Sequence, residues 1–312
     1  MSTKPRVFID GEAGTTGLEI RERLASDGAI EVVSIDTHLR KDGAARQAVM
    51  AAVDLVVLCL PDAAALEAVA LADSLGDKAP RIVDASTAHR VSDGWVYGFA
   101  ELLPSQADAI RNARRVANPG CYPTGGIALV RPLVEAGLLP SDYPVAVNAV
   151  SGYSGGGKSM IEAYEVAKSA PAFELYGLGL EHKHVPELAR YGGLTRRPIF
   201  VPSVGNFRQG MLVSVPLHLE TLPGKPEAAD LHAALVRHYA GSDRVRVVPL
   251  AETGTLGGRL DALALNGTDA LELYVFANPA HGQAVLVARL DNLGKGAAGA
   301  AVQNLRLMAG LA

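Results

Sequence analysis

The stretch Val7-Phe-Ile-Asp-Gly-Glu-Ala-Gly-Thr-Thr-Gly17 decides the fold of the first part of this 312-residue chain. Its apolar start predicts a buried strand. Three glycines follow at once, and residues 18–27 then carry apolar side chains at helical spacing. Glycines let a backbone approach a pyrophosphate, and a helix N-terminus offers free N–H groups and the positive end of a dipole. The stretch therefore predicts a dinucleotide-binding turn. Its G-x-x-G-x-x-G spacing is looser than G-x-G-x-x-G, so a plain strand–helix turn is the alternative.

Short apolar runs continue outward from this turn and alternate with helical patterns. Strands are predicted at 31–36, 54–60, 81–84 and 115–118. A helix is predicted at 63–72, with Asp62 as its N-cap. The run at 54–60 is continuous and partly β-branched, which is typical of a strand covered on both faces. This alternation predicts an α/β fold with a Rossmann-type, doubly wound parallel sheet.

The end of the second predicted strand bears on the choice of dinucleotide. Asp36 stands there, where an acidic side chain would hold a ribose 2′-hydroxyl. Arg40 and Lys41 lie just beyond and could instead grip a 2′-phosphate. A solvated loop is the alternative for these two basic residues. The residues alone leave NAD and NADP both open.

The pattern changes from about residue 141. Strands are predicted at 145–150, 198–204, 211–219, 245–248, 260–265, 270–277 and 283–290. Asn266-Gly267 lies between two of these runs and predicts a hairpin. Helices are predicted at 227–239 and, at the end of the chain, 296–311. The second part is therefore expected to be an α+β, mostly antiparallel domain.

Composition limits the classes of protein that fit. Lys plus Arg is 29 and Asp plus Glu is 33, which gives a net charge of −4 and argues against a general nucleic-acid binder. The two cysteines cannot form a disulfide framework, so a reducing compartment is expected. No apolar run approaches the ~18 residues that cross a bilayer, and no apolar signal core precedes the first strand. A soluble cytoplasmic protein, bound to neither membrane nor nucleic acid, is expected.

A second glycine-rich segment occurs in the middle of the chain. Gly152-Tyr-Ser-Gly-Gly-Gly-Lys158-Ser159 matches the phosphate-binding pattern G-x-x-x-x-G-K-[ST]. That motif normally opens a central parallel sheet, whereas this copy begins the mostly antiparallel part. A loop that faces a phosphorylated substrate is therefore favoured over a nucleotide-binding loop. A purely structural turn remains an alternative.

Cys121 and two histidines are the candidate catalytic groups. Asn118-Pro-Gly-Cys-Tyr-Pro-Thr124 places Cys121 at the head of an apolar helix, predicted at 126–136, where the dipole favours a thiolate. Cys59 lies in an apolar strand and is expected to be inert. His182 and His184 precede a helix start at Pro186, and an imidazole near Cys121 could act as general acid and base. A surface pair is one alternative. A metal site is another, but no further Cys or His cluster completes one.

Taken together, these segments resemble N-acetyl-γ-glutamyl-phosphate reductases of the shorter form, enzymes of arginine biosynthesis. The segments that carry the resemblance span nearly the whole chain in family order. They are Ile9–Gly17, Cys59-Leu-Pro-Asp62, Asp84-Ala-Ser86, Tyr97-Gly-Phe-Ala-Glu-Leu102, Asn118–Thr124, Ser151-Gly-Tyr-Ser-Gly155, His182-Lys-His-Val-Pro-Glu187 and Asp291-Asn-Leu-Gly-Lys-Gly-Ala-Ala-Gly299.

The resemblance implies an NADPH-dependent reductase built like the semialdehyde and glyceraldehyde-phosphate dehydrogenases. It implies an NADP-binding domain of residues 1–120 with 283–312, a substrate and oligomerisation domain of residues 121–282, and a homo-oligomer, dimer or tetramer. The implied cofactor-binding residues are Gly11, Gly14, Thr15, Thr16, Gly17, Asp36, Arg40, Lys41, Pro61, Ser86, Asn292, Lys295 and Gly296. The substrate-binding candidates are Asn118, Ser154, Lys158, Glu187 and Arg208.

The expected reaction is reductive dephosphorylation of an acyl phosphate through a thioester on Cys121. A histidine would move protons, with His184 preferred over His182 because it adjoins the Pro186-Glu187 turn. The nearest alternative is an aspartate-semialdehyde dehydrogenase or another acyl-phosphate reductase with the same chemistry. An ATPase that uses Lys158 and a non-catalytic nucleotide sensor are the alternatives from other classes.

Overall fold

The computed structural model describes residues 4–311. The strands are β1 Arg6–Asp10, β2 Glu31–Val33, β3 Leu55–Leu58, β4 Arg81–Asp84, β5 Val96–Tyr97, β6 Arg115–Ala117, β7 Ala146–Gly152, β8 Phe173–Leu175, β9 Ile199–Gly205, β10 Met211–His218, β11 Val245–Val247, β12 Leu271–Asn278 and β13 Gln283–Leu290. The helices are α1 Thr15–Asp27, α2 Gly43–Met50, α3 Asp62–Asp73, α4 Gln106–Asn112, α5 Cys121–Glu135, α6 Gly157–Glu165, α7 Val185–Gly192, α8 Ala228–His238, α9 Leu250–Thr255 and α10 Gly299–Met308.

The chain divides into two compact units, and the first contains the parallel sheet. This unit comprises Met1–Ala100, Pro104–Pro119 and Ala297–Ala312. Its six strands lie in the order β2-β1-β3-β4-β6-β5, with all neighbours parallel. The predicted doubly wound parallel sheet is confirmed.

Helices cover both faces of this sheet because its strands carry apolar residues on both sides. Val7 and Ile9 of β1 pack in a cluster with residues of α1, α4 and α10. Phe8, which points to the opposite face, packs with residues of α2 and α3. One local prediction was wrong. Pro61 occupies the N-cap of α3 and Asp62 is the first helical residue, with its carboxylate accepting the Thr87 N–H at 2.9 Å.

The second unit comprises Glu101–Leu103 and Gly120–Gly296 and contains a mixed sheet. Its seven strands lie in the order β11-β12-β13-β10-β7-β9-β8. The pairs β7–β9 and β11–β12 are parallel, and the other four pairs are antiparallel. Helices α5 and α8 contact this sheet. The predicted mostly antiparallel α+β unit is confirmed.

Two elements of the second unit differ from the sequence-based expectation. Residues 260–265 form turns instead of a strand, and Asn266-Gly267 does not close a hairpin. Instead, the Asn266 side chain donates to the Gln209 carbonyl at 2.9 Å, and the Gly267 N–H donates to the buried Asp291 carboxylate at 2.7 Å. This turn is therefore held by contacts with residues distant in sequence.

The boundary near the C-terminus also differs from the expected one at residue 283. Strand β13 pairs along its whole length with both β10 and β12, so it belongs to the second unit. The chain returns to the first unit at Ala297, within a π-helical turn, Gly294–Ala298, that precedes α10. Across residues 4–311, no helix is both long enough and apolar enough to span a membrane.

Candidate active site

The glycine turn of the first unit leaves no room for side chains at two of its three glycines. Gly11 has φ +92°, and a Cβ there would lie 2.3 Å from the Cys59 carbonyl oxygen. A Cβ on Gly17 would lie 2.4 Å from the Gly11 carbonyl oxygen. The turn therefore packs backbone to backbone against the residue after β3 at Gly11, and against the start of α1 at Gly17.

The start of α1 fits a phosphorylated ligand. Gly14 is the N-cap, in an extended conformation, and among residues 4–311 no side chain caps this helix end. The first N–H groups of an α-helix lack intrahelical partners, so those of Thr15, Thr16 and Gly17 are available to an anion. The turn thus brings together five of the expected cofactor-binding residues.

Two further cofactor candidates follow neighbouring strands of the same sheet. Pro61 is the N-cap of α3, shortly after β3, and Ser86 follows β4. The buried Asp84 carboxylate accepts hydrogen bonds from the Ser86 N–H at 2.9 Å and the Ser86 hydroxyl at 2.7 Å. It also pairs with His89 Nδ1 at 2.6 Å. Ser86 is therefore held rigidly at the carboxyl edge of the sheet, where doubly wound folds bind ligands.

The residues expected to distinguish NAD from NADP lie on the surface beyond β2. The Asp36 carboxylate is 65% exposed and lies 3.1 Å from His38 Nδ1. Arg40 and Lys41 are also exposed, in the turn that precedes α2. All three are accessible to a ribose or its 2′-phosphate.

We expect Gly17→Ala to weaken binding of a dinucleotide and to lower the free energy of unfolding by about 1–3 kcal/mol. The added methyl group would clash with the Gly11 backbone, which has no flexible end to move aside. Gly43→Ala is the matched control, because a Cβ at Gly43 meets nothing within 4 Å at the start of α2. Equilibrium unfolding and fluorescence titration with NADPH measure both effects. Equal behaviour of the two variants would contradict this account of the turn.

Cys121 is the first residue of α5, five residues earlier than the predicted helix start. Gly120 is the N-cap, and its carbonyl accepts the Thr124 hydroxyl at 2.9 Å. The Gly120 N–H donates to the carboxylate of Glu187, a residue only 1% exposed, at 3.0 Å. Glu187, a substrate-binding candidate, thus also fixes the backbone immediately before Cys121.

The two histidines lie in an aromatic cluster beside Tyr122. The ring centroid of Tyr122 is 6.2 Å from that of His182 and 5.9 Å from that of His184. Tyr176 donates its hydroxyl to the Tyr122 hydroxyl at 3.1 Å, and Phe200 packs on both Tyr122 and His182. Burial raises the pKa of Tyr176 to about 12, and the nearby charge of Cys121 adds to this shift. The structure thus brings Cys121, Tyr176 and both imidazoles into one site.

The two imidazoles are not equivalent. The ring centroids of His182 and His184 are 4.7 Å apart, and the backbone N–H of His184 donates to His182 Nδ1 at 3.1 Å. An accepting Nδ1 places the proton of neutral His182 on Nε2, so this ring presents an N–H donor. His184 is buried at the N-cap of α7.

The π-helical turn forms another wall of the Cys121 site. A Cβ on Gly296 would lie 2.9 Å from Cys121 Cβ, so only glycine fits there. Asn292, three residues before that turn's lysine, donates to the Ser154 hydroxyl at 2.9 Å and accepts the Gly210 N–H at 2.9 Å. The Lys295 ammonium is buried away from solvent. Its Nζ donates to the Glu101 carboxylate at 2.6 Å, and the side chain is 2% exposed.

The second cysteine has a different environment. Cys59 follows β3 and packs against the apolar core of the first unit. Burial, together with the charges of Asp84 and Asp10, raises the pKa of Cys59 to about 12. The neutral thiol is therefore the stable form, as expected for an inert cysteine.

Three substrate-binding candidates have other roles or are exposed. Asn118 is buried, donating to the Ala297 carbonyl at 3.0 Å and accepting from Asn304 at 3.0 Å, so its amide supports the first unit. The Arg208 guanidinium is paired with Glu165 and is 53% exposed, while Lys158 is exposed in α6.

The glycine-rich segment at 152–159 has a packing explanation. A Cβ on Gly152 would lie 2.6 Å from the Arg208 carbonyl carbon and oxygen, because the two segments pair backbone to backbone. The Tyr153 and Ser154 N–H groups donate to the carbonyls of Phe207 and Arg208. Strand β7, which enters this segment, belongs to the mixed sheet. These contacts favour a structural and substrate-facing loop over a nucleotide-binding one.

Sequence reasoning missed Tyr176 and Glu101. Tyr176 lies just after a short edge strand that carries no periodic signal, and Glu101 was noted only as part of a family motif. Within residues 4–311, no group of three or more His, Cys, Asp or Glu side chains is arranged to hold a metal ion.

Comparison with known proteins identifies the class. Residues 121–292 match the family model of the semialdehyde dehydrogenase dimerisation domain. The fold is similar to aspartate semialdehyde dehydrogenase II from Vibrio cholerae, with a TM-score of 0.70 at 16% identity over 98% of both chains. It is also similar to the Francisella tularensis aspartate semialdehyde dehydrogenase, with a TM-score of 0.71 at 13% identity over 97% of this chain and 99% of that one. The family model, which covers more than half of the chain, places it in the semialdehyde dehydrogenase class.

Full-length relatives narrow the class to one family. The chain is 57% identical to the N-acetyl-γ-glutamyl-phosphate reductase of Brucella ovis over 98% of this chain and 99% of that protein. The same identity and coverage hold for the reductase of that name from Brucella canis. The chain belongs to the N-acetyl-γ-glutamyl-phosphate reductase family.

Proposed function

We propose that the protein catalyses the NADPH-dependent reduction of N-acetyl-γ-glutamyl phosphate to N-acetylglutamate semialdehyde and phosphate. The observation that carries this proposal is Cys121 at the start of α5, next to Tyr122, whose ring packs with those of two histidines, in a chain 57% identical over nearly its full length to reductases of that name. A nucleophilic cysteine can convert an acyl phosphate to a thioester, which splits one difficult step into two easier ones.

Cys121 attacks the acyl carbon as its thiolate. A sulfur–carbon bond forms, the carbon–oxygen bond to phosphate breaks, and inorganic phosphate leaves with the bonding electron pair. Backbone N–H groups in the first turn of α5 would stabilise the oxyanion of the tetrahedral intermediate, a contribution commonly worth ~3–4 kcal/mol. Glu187 holds the Gly120 N–H at 3.0 Å and so keeps this helix end in place.

The two histidines have different roles in the reaction. His182, with Nδ1 accepting a backbone N–H, donates a hydrogen bond from Nε2 to the developing oxyanion. His184 acts as the acid and base, taking the thiol proton before attack and returning it when the thiohemiacetal collapses. With His182 assigned as the donor, His184 is the remaining imidazole for the acid and base role, which agrees with the sequence-based preference.

The first unit would hold NADPH. The pyrophosphate would lie on the Gly11–Gly17 turn, with Pro61 and Ser86 at the same sheet edge. The exposed Arg40 and Lys41 would meet the 2′-phosphate, which favours NADP over NAD. When bound, NADPH supplies the hydride that reduces the thioester. Asn292 and Gly296 remain the candidates next to the nicotinamide.

The anionic substrate requires local positive charge. Arg208 is the stronger candidate, because its backbone carbonyl accepts the N–H of Ser154 in the substrate loop and its guanidinium is accessible. Glu165, which pairs with Arg208, would either share the guanidinium with the substrate carboxylate or release it to that carboxylate. Lys158 is the candidate for the phosphate. An aspartate-semialdehyde dehydrogenase is the alternative, because solved structures of that name share the fold.

The reverse reaction, with phosphate and either semialdehyde, distinguishes these substrates. We expect kcat/KM for N-acetylglutamate semialdehyde to exceed that for aspartate semialdehyde by at least about 10²-fold, because a site built for an acetylated amine leaves polar groups unpaired with the shorter substrate. We also expect NADP to be preferred over NAD. Preference for aspartate semialdehyde, or ATP turnover that depends on Lys158, would contradict the proposal.

We also propose that the protein is cytoplasmic and forms a homodimer. The interface would be the face of the mixed sheet that carries an apolar groove. This groove of about 680 Å³ is lined in part by Leu212, Phe276 and Val285. The residues lie within the segment that matches a dimerisation domain. A face of this kind commonly packs against its own copy across a two-fold axis.

Phe276→Asp should therefore convert the protein to a monomer, because a two-fold interface would bring the introduced carboxylates together in an apolar setting. Leu66→Asp is the control, at a 54% exposed position in α3 of the first unit. Sedimentation velocity measures the mass of each variant. An unchanged oligomer for Phe276→Asp would place the interface elsewhere.

A further inference from the structure

Lys295 is a buried charge that the proposed chemistry does not use. Its side chain is 2% exposed, its Nζ lies 2.6 Å from Glu101 Oε2, and Glu101 is itself 10% exposed. Burial lowers the pKa of Lys295, and the charge of Glu101 opposes that shift. Replacing such a buried ion pair with apolar residues of similar volume often leaves the free energy of unfolding unchanged or raises it. Stability alone therefore does not explain why the pair is present.

The position of Lys295 indicates what the pair does. It lies in the π-helical turn Gly294–Ala298, between two glycines that have no room for side chains. A Cβ on Gly294 would lie 2.0 Å from the Thr268 carbonyl oxygen, and one on Gly296 would lie 2.9 Å from Cys121 Cβ. The turn thus packs against the Thr268 loop on one side and against Cys121 on the other, and Lys295 connects it to Glu101.

We propose that the Lys295–Glu101 ion pair is a positioning pair, which fixes the π-helical turn so that the Gly296 backbone stays against Cys121. π-Helical turns strain the regular hydrogen-bond pattern and occur often at functional sites, so a fixed contact is needed to hold one in place. This inference rests on the proposed function only in taking Cys121 as the reacting group. It is an alternative to the cofactor-binding role that the resemblance implies for Lys295.

Three variants test the pair: Lys295→Met, Glu101→Gln and the double variant, which leaves no unpaired buried charge. We expect each that folds to lose about 10²-fold in kcat, because misplacement by ~1 Å near the reacting atoms has that effect. The KM for NADPH should stay near the wild-type value. Lys295→Arg keeps the charge and should recover most of the lost kcat. The control is Arg289→Met with Glu272→Gln, a similarly buried pair (16% and 12% exposed) on β13 and β12, which should leave kcat unchanged.

A raised KM for NADPH with unchanged kcat would instead make Lys295 a cofactor ligand and overturn the proposal. A folded Lys295→Met, Glu101→Gln double variant with the wild-type kcat would also overturn the proposal.

Amide hydrogen exchange tests the same pair without any substrate. We expect exchange in the peptide that contains Gly296, whose N–H donates to the Asp291 carbonyl at 3.0 Å, to accelerate at least about tenfold in the double variant and not in the control. Unchanged exchange would overturn the positioning role. If the wild-type protein failed to reduce the acyl phosphate, the proposed function would fall while this arm still decided the role of the pair.

Discussion

Cys121→Ser is expected to lower kcat by at least about 10⁴-fold, since loss of a catalytic nucleophile has effects of that size or larger. The serine hydroxyl has nearly the shape of the thiol and keeps the start of α5 intact, but it is far less ionised at neutral pH. The residue is the first of α5, where the helix end favours a negative charge. NADPH oxidation with N-acetyl-γ-glutamyl phosphate, and the reverse reaction with semialdehyde and phosphate, measure the loss.

Cys59→Ala is the matched control, because the same chain offers a second cysteine with the opposite electrostatic setting. Burial raises the pKa of Cys59 to about 12, so its thiol stays protonated near neutral pH and takes no part in the reaction. We expect its removal to leave kcat close to the wild-type value. Near-wild-type turnover by Cys121→Ser, or a matching loss in Cys59→Ala, would rule out the thioester scheme.

His184→Asn is expected to lower kcat by about 10²–10⁴-fold and to remove the limb of the pH–rate profile that reports the acid–base group. Asparagine is a good N-cap residue, so the variant should keep the start of α7 and isolate the chemical role of the imidazole. Steady-state kinetics across the neutral pH range supplies both readouts.

The His182→Asn variant distinguishes the roles of the two imidazoles. The His182 imidazole is fixed as an Nε2 donor by the His184 N–H at 3.1 Å, so its loss should lower kcat while the pH–rate limb persists. If the limb instead vanished in His182→Asn and persisted in His184→Asn, the two roles would be reversed. Small, equal losses in both variants would remove both histidines from the reaction.

The parts of the site that depend on local sequence could be predicted. The glycine turn is one, because Gly17 is required by backbone contacts with Gly11 and Glu12 within one strand–turn–helix unit, and Gly11 has a positive φ. Cys121 at a helix start is another, because Pro123 and the apolar residues that follow signal the helix. The alternation of apolar runs also sufficed for the doubly wound sheet, since its central strands β1, β3 and β4 are buried on both faces.

The parts of the structure that depend on contacts between residues distant in sequence could not be predicted. Asn266-Gly267 has the composition of a hairpin, but the Gly267 N–H binds Asp291 and the Asn266 side chain binds Gln209, which no local pattern reveals. Glu187 supports the Gly120 backbone, 67 positions earlier in the chain, and Lys295 is buried against Glu101, 194 positions earlier. A charged residue in a motif indicates importance without indicating its partner.

The central claim is that an acyl group passes through Cys121, and trapping that intermediate tests it most directly. The protein would be mixed with N-acetyl-γ-glutamyl phosphate without NADPH, quenched in acid and examined by intact-mass and peptide mass spectrometry. The account predicts one N-acetylglutamyl group on the Cys121 peptide, release of one phosphate per site, and loss of the adduct when NADPH is added before the quench. No adduct, an adduct on another residue, or the same adduct in Cys121→Ser would contradict it.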